Sequence, residues 1–242
     1  AAPAGNGFEW RKIVEKIEIV KPVMEHSSVE SFKTLRTNLL FCGEDKKVIV
    51  FTSCTENEGK TQIALNLGIA MAEAKKKVLL VDADLRKSVL AGRVKVNTQI
   101  KGLTHFLSHQ EELSDIIYTT NIPYFNMIFS GPVPPNPAEL LSSNYFARML
   151  AALRESCDYI LIDSPPLGSV IDAAIIAKEC DGAILVIESG WNSRRFELGV
   201  KDQLEKAGCP ILGAVLNKVD KKVQSYGKYG KYGKYGTYGE KK

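Results

Sequence analysis

The sequence predicts an α/β fold with a mostly parallel central sheet flanked by helices on both faces. Three observations carry that prediction. Short runs are apolar throughout rather than alternating with polar residues, as in strands buried on both faces. Segments of helical periodicity fill the gaps between them, which is the rhythm of βαβ units. Several of the apolar runs end on carboxylates or on a glycine-containing loop, and in such sheets ligands bind at the carboxyl ends of strands.

Taken in order, residues 1–26 mix small, polar and charged residues around Phe8 and Trp10 and read as an N-terminal arm or activator-like segment that packs on something else. Ser27-Ser28-Val29-Glu30 offers a helix N-cap, and Phe32, Leu35, Leu39 and Leu40 recur at helical spacing, predicting a helix to about Phe41. Val48 to Thr52 is a short β-branched strand, Lys60 to Ala74 is helical, and Val78 to Val81 is a second buried strand ending at Asp82. Further strands are predicted at Tyr124 to Phe129, Tyr159 to Ile162, Ala183 to Ile187 and Ile211 to Leu216. Helices are predicted near Ala138 to Glu155, Asp172 to Ala177 and Arg194 to Ala207. Residues 27–220 form one domain on this reading. In residues 221–242 a Tyr-Gly-x triplet starts at Tyr226, Tyr229, Tyr232, Tyr235 and Tyr238, which suits neither a helix stripe nor a strand face and predicts a flexible tail.

A chain of 242 residues with 45% hydrophobic and 25% charged positions has a core large enough for one α/β domain, which excludes collagen-like, mini-protein and wholly disordered classes. No run approaches the roughly 18 apolar residues of a membrane-spanning helix, and the start lacks a basic segment followed by an apolar one, so a soluble, cytoplasmic chain is expected. Five cysteines without a CxxC pair predict buried thiols rather than a disulfide framework or a zinc site. The net charge of +4 belongs to the tail, where seven lysines face one glutamate; residues 1–220 carry a net −2, and no nucleic-acid partner is expected. His26, His105 and His109 are too scattered for a triad or a metal cluster.

The chemistry concentrates at three strand ends. Cys54-Thr55-Glu56-Asn57-Glu58-Gly59-Lys60-Thr61-Gln62 follows a buried strand and opens a helix, the setting of a phosphate-binding loop: backbone N–H groups and the helix dipole hold phosphate, Lys60 reaches the β/γ oxygens and Thr61 ligates magnesium. Asp82 and Asp84, spaced two apart on an extended chain, point the same way and face one metal-phosphate site. Asp163, at the end of Ile160-Leu161-Ile162 and before Ser164-Pro165-Pro166, repeats the device in the manner of a magnesium-holding Walker B aspartate. Asn217, in Asn217-Lys218-Val219-Asp220, resembles a base-recognition position, with a strand-terminal turn as the equal alternative.

The loop ending in Gly59-Lys60-Thr61, the DxDxR run Asp82 to Arg86, Asp163-Ser164-Pro165-Pro166, the segment from Ser130-Gly131-Pro132 to Pro135-Asn136-Pro137-Ala138-Glu139-Leu140-Leu141 and the tyrosine-rich C terminus together resemble the bacterial tyrosine kinases, or BY-kinases, of capsular and exopolysaccharide synthesis. The resemblance spans roughly residues 25–242. It implies a P-loop NTPase fold, ATP and Mg as cofactors, and autophosphorylation between subunits at Tyr226, Tyr229, Tyr232, Tyr235 and Tyr238. It makes Lys60, Asp82 and Asp84 the catalytic set, with Asp82 a candidate base. Glu58, Gly59, Lys60, Thr61, Gln62 and Asn217 become the nucleotide contacts, and Thr61, Asp84 and Asp163 the magnesium set. The helix pattern Glu30-x-x-Lys33-x-x-Arg36 resembles a ring-forming contact of the homo-oligomer, with Lys33 where the family has an arginine, so the planar fork is lost there. The implied partners are a transmembrane activator or polysaccharide co-polymerase protein and a protein tyrosine phosphatase, at the inner face of the plasma membrane.

Two departures concern the loop: Cys54 stands where glycine is usual, and Glu56-Asn57 replaces Pro-Gly, Asn57 being a residue that accepts a left-handed turn. Two other functions fit a nucleotide site. A partition-type ATPase switch usually carries a second lysine where this chain has Thr55 and has no use for a tyrosine repeat; a nucleotide-gated scaffold would bind without catalysis.

Overall fold

The computed structural model describes residues 16–20, 24–94, 96 and 100–219. Its strands are β1 (Lys16–Ile17), β2 (Val48–Ser53), β3 (Val78–Asp82), β4 (Ile117–Thr120), β5 (Phe125–Ile128), β6 (Tyr159–Asp163), β7 (Gly182–Glu188) and β8 (Ile211–Asn217). They form one sheet in the order β1-β4-β5-β3-β6-β2-β7-β8. From β5 to β8 every pairing is parallel; β4 runs antiparallel to β5, and β1 pairs parallel with β4.

The helices are α1 (His26–Leu40), α2 (Lys60–Glu73), α3 (Leu90–Arg93), α4 (Leu103–Leu107), α5 (Pro137–Leu141), α6 (Asn144–Arg154), α7 (Asp172–Ala177) and α8 (Arg194–Lys206). They cover both faces. Val48, Val50, Leu79, Val81, Ile160 and Ile162 point into a core shared with Phe146, Leu150, Val200 and Leu204 of α6 and α8. Their sequence neighbours Ile49, Phe51, Leu80 and Leu161 point the opposite way, onto Leu67 and Met71 of α2 and Leu39 of α1. Each central strand therefore feeds two cores at once, which is why its sequence is apolar without alternation. α2 comes so close to the sheet that a Cβ on Gly68 would lie 2.6 Å from the Phe125 ring.

The predicted strands and the α1, α2, α7 and α8 helices stand where the sequence put them, within a residue or two. Four differences have physical causes. α1 starts at His26 with Glu25 as its cap, so Ser27 and Ser28 lie inside the helix rather than capping it. The helix expected from Ala138 to Glu155 is broken between α5 and α6 at Ser142 and Ser143, where the Ser142 hydroxyl donates to the Glu139 carbonyl at 3.0 Å in competition with the helical ladder. Tyr124 does not begin β5: it takes a left-handed φ of 68° in the turn that leads from β4, whose Thr120 hydroxyl donates to the Phe125 carbonyl at 2.8 Å. At the N terminus, Lys16 and Ile17 pair with Thr119 and Thr120, and Ile17 and Ile19 are buried in the same core as α2, so this part of residues 1–26 packs on its own chain. Residues 1–15 and 220–242 lie outside the described residues, and with them the five tail tyrosines.

Candidate active site

β2 delivers the chain into the loop 54–59, and α2 leaves it at Lys60 with Gly59 as N-cap. The loop turns through left-handed φ values at Asn57 (64°) and Gly59 (98°), so asparagine does close the turn without Pro-Gly. Gly59 resists substitution, because its φ strains other residues and a Cβ there would sit 2.2 Å from the Asn217 side-chain nitrogen and push it aside. Glu58 is fully buried, and its carboxylate braces the loop from within. Oε1 accepts from the N–H and hydroxyl of Thr55, and Oε2 accepts from the Glu188 N–H at 2.8 Å. The buried Cys54 thiol is pushed up to about 12 by burial, with Glu58 and Glu197 adding to the effect, so it is an inert filler.

Because β3 and β6 are parallel neighbours, Asp82 and Asp163 fall in register at their carboxyl ends. Both are essentially without solvent exposure. Burial, then the Asp163 charge, raises the proton affinity of Asp82, while the Ser88 hydroxyl donates to its Oδ2 and opposes the rise. Burial also raises Asp163, with Lys60 and then Thr61 working against it. Asp163 Oδ1 is buried with no hydrogen-bond partner. Asp84 caps the turn that follows: its Oδ1 accepts from the Arg86 and Lys87 N–H groups at 3.3 and 2.9 Å. Arg86 then grips the fully buried Asp172 with both arms of its guanidinium, at 2.5 and 3.0 Å.

These elements surround a cleft of about 640 Å³, part of it open to solvent, whose walls include Gly59, Lys60, Thr61, Asp84, Arg86 and Arg93. The site fits a magnesium nucleotide. A buried carboxylate oxygen without a partner, beside a lysine and a hydroxyl at a helix N-terminus, calls for a cation and an anion together. Among the described residues no group of three or more His, Cys, Asp or Glu forms a complete metal cage. Magnesium does not need one, because it keeps waters and phosphate oxygens in its shell.

Of the residues read from sequence, Gly59, Lys60, Thr61 and Asp84 meet at the cleft, with Asp163 and Asp82 buried beside it. Neither Asp82 nor Asp163 is part of its lining. The Glu58 carboxylate is spent inside the loop, and the Gln62 amide bonds Asn66 at 3.0 Å and Arg93 at 3.1 Å. The Asn217 amide donates to the Glu58 carbonyl at 2.8 Å. On α1, Lys33 pairs with Glu30 at 2.8 Å on the surface, whereas Arg36 donates to the Ala70 carbonyl of α2 at 2.8 Å within its own chain. Sequence reasoning missed Ser88, Arg93, Asp172 as the Arg86 partner, Glu188 and Lys218. Only Ser88 carried a local signal, being a hydroxyl within reach of the Asp82 turn; the others depend on contacts distant in sequence.

A P-loop nucleotide-binding protein is the class that this fold and site define, and the AAA domain family model matches residues 46–193. The septum site-determining protein MinD of Pyrococcus horikoshii, solved with Mg-ADP, superposes with a TM-score of 0.61 at 29% identity over 70% of this chain and 69% of that one. A narrower likeness comes from tyrosine-protein kinase CpsD of Streptococcus agalactiae, 44% identical over 214 residues, 88% of this chain and 92% of that one. The kinase domain of the Escherichia coli tyrosine kinase ETK superposes with a TM-score of 0.78 at 31% identity, covering 84% of this chain and 82% of that domain. The chain belongs to the bacterial tyrosine-protein kinases.

Proposed function

We propose that the protein is an ATP- and magnesium-dependent protein-tyrosine kinase that phosphorylates its own C-terminal tyrosine cluster between subunits. The carrying observation is the convergence of Lys60, Thr61 and Asp84 on one cleft with the unpartnered carboxylate of Asp163 buried at its edge. Thr61, Asp84 and Asp163 are the residues that would hold the magnesium. Bound Mg-ATP supplies the phosphoryl group and the cation that screens its charge.

The chain's own residues do the rest. Loop N–H groups and Lys60 fix positive charge at the phosphates, where phosphoryl transfer needs it most. A tyrosine hydroxyl has a pKa of about 10 and must surrender its proton as it attacks. Asp82 is assigned that proton, which its raised affinity lets it keep once it starts the reaction in its ionised form. Since Asp82 lies behind the cleft wall, the turn from Ala83 to Ser88 has to shift to admit the hydroxyl. Tyr226, Tyr229, Tyr232, Tyr235 and Tyr238 are the proposed acceptors, on a tail whose lysines suit an acidic site.

The same reading places the kinase in control of capsular or exopolysaccharide synthesis and export, as a homo-oligomer in the cytoplasm. A transmembrane activator would recruit it to the inner face of the plasma membrane, and a protein tyrosine phosphatase would reverse the modification. Among the described residues no helix is long and apolar enough to cross a membrane, so an anchor from a partner is consistent with this arrangement.

Incubation with ATP and magnesium followed by mass spectrometry tests the proposal. Phosphotyrosine should accumulate in residues 226–238 of the wild type and vanish in Lys60→Met; undiminished modification of that variant overturns the kinase mechanism. ATP hydrolysis without phosphotyrosine points instead to a partition-type switch, and binding without either points to a scaffold. Adding an active copy truncated before Tyr226 to full-length Lys60→Met should restore tail modification if transfer runs between subunits.

A further inference from the structure

The end of β8 wraps over the outside of the phosphate-binding loop. Lys218 Nζ donates to the Asn57 carbonyl at 2.8 Å and to Glu188 Oε2 at 2.8 Å. One residue earlier, Asn217 Nδ2 donates to the Glu58 carbonyl at 2.8 Å, and its backbone carbonyl accepts from the Ser189 N–H at 2.9 Å. Glu188 closes the circuit, because its own N–H donates to the Glu58 carboxylate at 2.8 Å. Two successive loop carbonyls are thus held by two successive residues of one strand end.

The geometry points to Asn217 and Lys218 as positioning residues that preset the loop for phosphate, an inference that rests on the kinase reading above. In a planar trans peptide the C=O and the following N–H point in opposite directions. Drawing the Asn57 carbonyl outward to Lys218 turns the Glu58 N–H away from Lys218, and drawing the Glu58 carbonyl outward to Asn217 does the same for the Gly59 N–H. An anion nest needs successive N–H groups turned to one side, and a loop carbonyl that swung inward would repel the phosphate it should cradle. The Gly59 N–H has no acceptor among the described residues and stays available. Lys218 itself holds a left-handed φ of 54°, a conformation that non-glycine residues keep only where surrounding contacts fix it, here the two bonds of its ammonium group. Gly59 fits the same design, since any side chain there would displace Asn217.

This differs from a base-recognition role for Asn217, and the two separate by ligand. Magnesium ADP carries the base; magnesium pyrophosphate does not. Titration calorimetry of Lys218→Met and Asn217→Ala should show both ligands weakened by a similar factor of about fivefold to tenfold, the scale of one lost hydrogen bond to a fixed group. Lys218→Arg, which keeps a donor of the right charge, should recover most of the affinity, a rescue that damage to folding would not produce. In turnover, KM for ATP should rise by the same factor while kcat at saturating ATP changes by no more than about twofold. A loss confined to ADP makes Asn217 a base contact and overturns the inference, as do unchanged affinities in both variants. A wild type that binds neither ligand removes the kinase reading, and this inference with it; a wild type that binds both while the variants match it removes the inference alone.

Discussion

Asp181 and Asp163 sit at opposite ends of the parallel strands of one sheet, and their surroundings differ in kind. Asp181, just before β7, accepts from the N–H groups of Lys47 and Val48 at 2.9 and 2.8 Å and from both arms of Arg154 at 2.7 and 3.0 Å. Burial alone would raise its pKa, but Arg154 and the two N–H groups reverse that, so its carboxyl titrates below the usual range. Asp158, just before β6, likewise takes the Lys77 N–H at 2.7 Å. At the carboxyl ends, Asp163 leaves one oxygen without a partner, and Asp82, its neighbour in register, has its proton affinity raised. One end of the sheet uses aspartate to finish the fold. The other end leaves one buried oxygen, Asp163 Oδ1, without a partner, a cost that a bound cation would offset.

That contrast can be broken most visibly at Asp181. Replacing it with alanine leaves the Val48 N–H without its acceptor and takes the carboxylate from Arg154, which keeps only a long bond to the Glu179 carbonyl, and should cost about 2–3 kcal/mol in urea unfolding, with Mg-ADP affinity unchanged within about twofold. A comparable loss of nucleotide affinity would erase the division between the two ends. A second effect follows from pH. The folded-state pKa values of Asp82 and Asp163 are raised, so the folded protein holds protons that the unfolded chain has released. Their contribution to stability is complete below the ordinary carboxylate range and is lost as pH rises through neutrality. Ligand-free protein should therefore lose stability across that window, and Asp163→Asn should flatten the loss; a flat wild-type profile would contradict the assignment. Arg36 offers a third comparison. Since it binds a carbonyl near the end of α2, Arg36→Ala should cost about 1 kcal/mol by itself, whereas Glu30→Ala, at an exposed pair, should cost close to nothing. If both also serve assembly, the double variant should drop in mass by light scattering; an unchanged mass removes them from the subunit interface. Least of all should happen at Cys54, which ought to resist iodoacetamide at about pH 8 in the folded state because burial holds its thiol protonated.

The sequence made legible whatever is local. Strands buried on both faces announce themselves as apolar runs, and a Gly-Lys-Thr after one of them, with Asp82, Asp84 and Asp163 closing two others, locates the site. What it left hidden depends on partners far along the chain. Asn217 reads as a base contact or a turn until its amide is found on Glu58, 159 residues away. Arg36 reads as a free fork until it is found on Ala70. Spacing has Asp82 and Asp84 face one site together, yet Asp82 is sealed from solvent while Asp84 lines the cleft, a distinction made where the Ser88 hydroxyl folds back onto Asp82. The strand β4 escaped notice because it is four residues long and antiparallel in a sheet otherwise read from its parallel rhythm.

The division of labour between the two ends meets its most direct test in thermal unfolding of the wild type, Asp163→Asn and Asp181→Asn, each with and without Mg-ADP. The wild type should gain several degrees from the ligand. Asp163→Asn should unfold at or above the wild-type temperature without ligand and gain little or nothing from it, while Asp181→Asn should start several degrees lower and gain as much as the wild type. If Asp163→Asn is destabilised as much as Asp181→Asn, or keeps the full gain from Mg-ADP, then the unpartnered carboxylate is not where this fold receives its nucleotide and metal, and the two ends of the sheet are not divided in the way proposed.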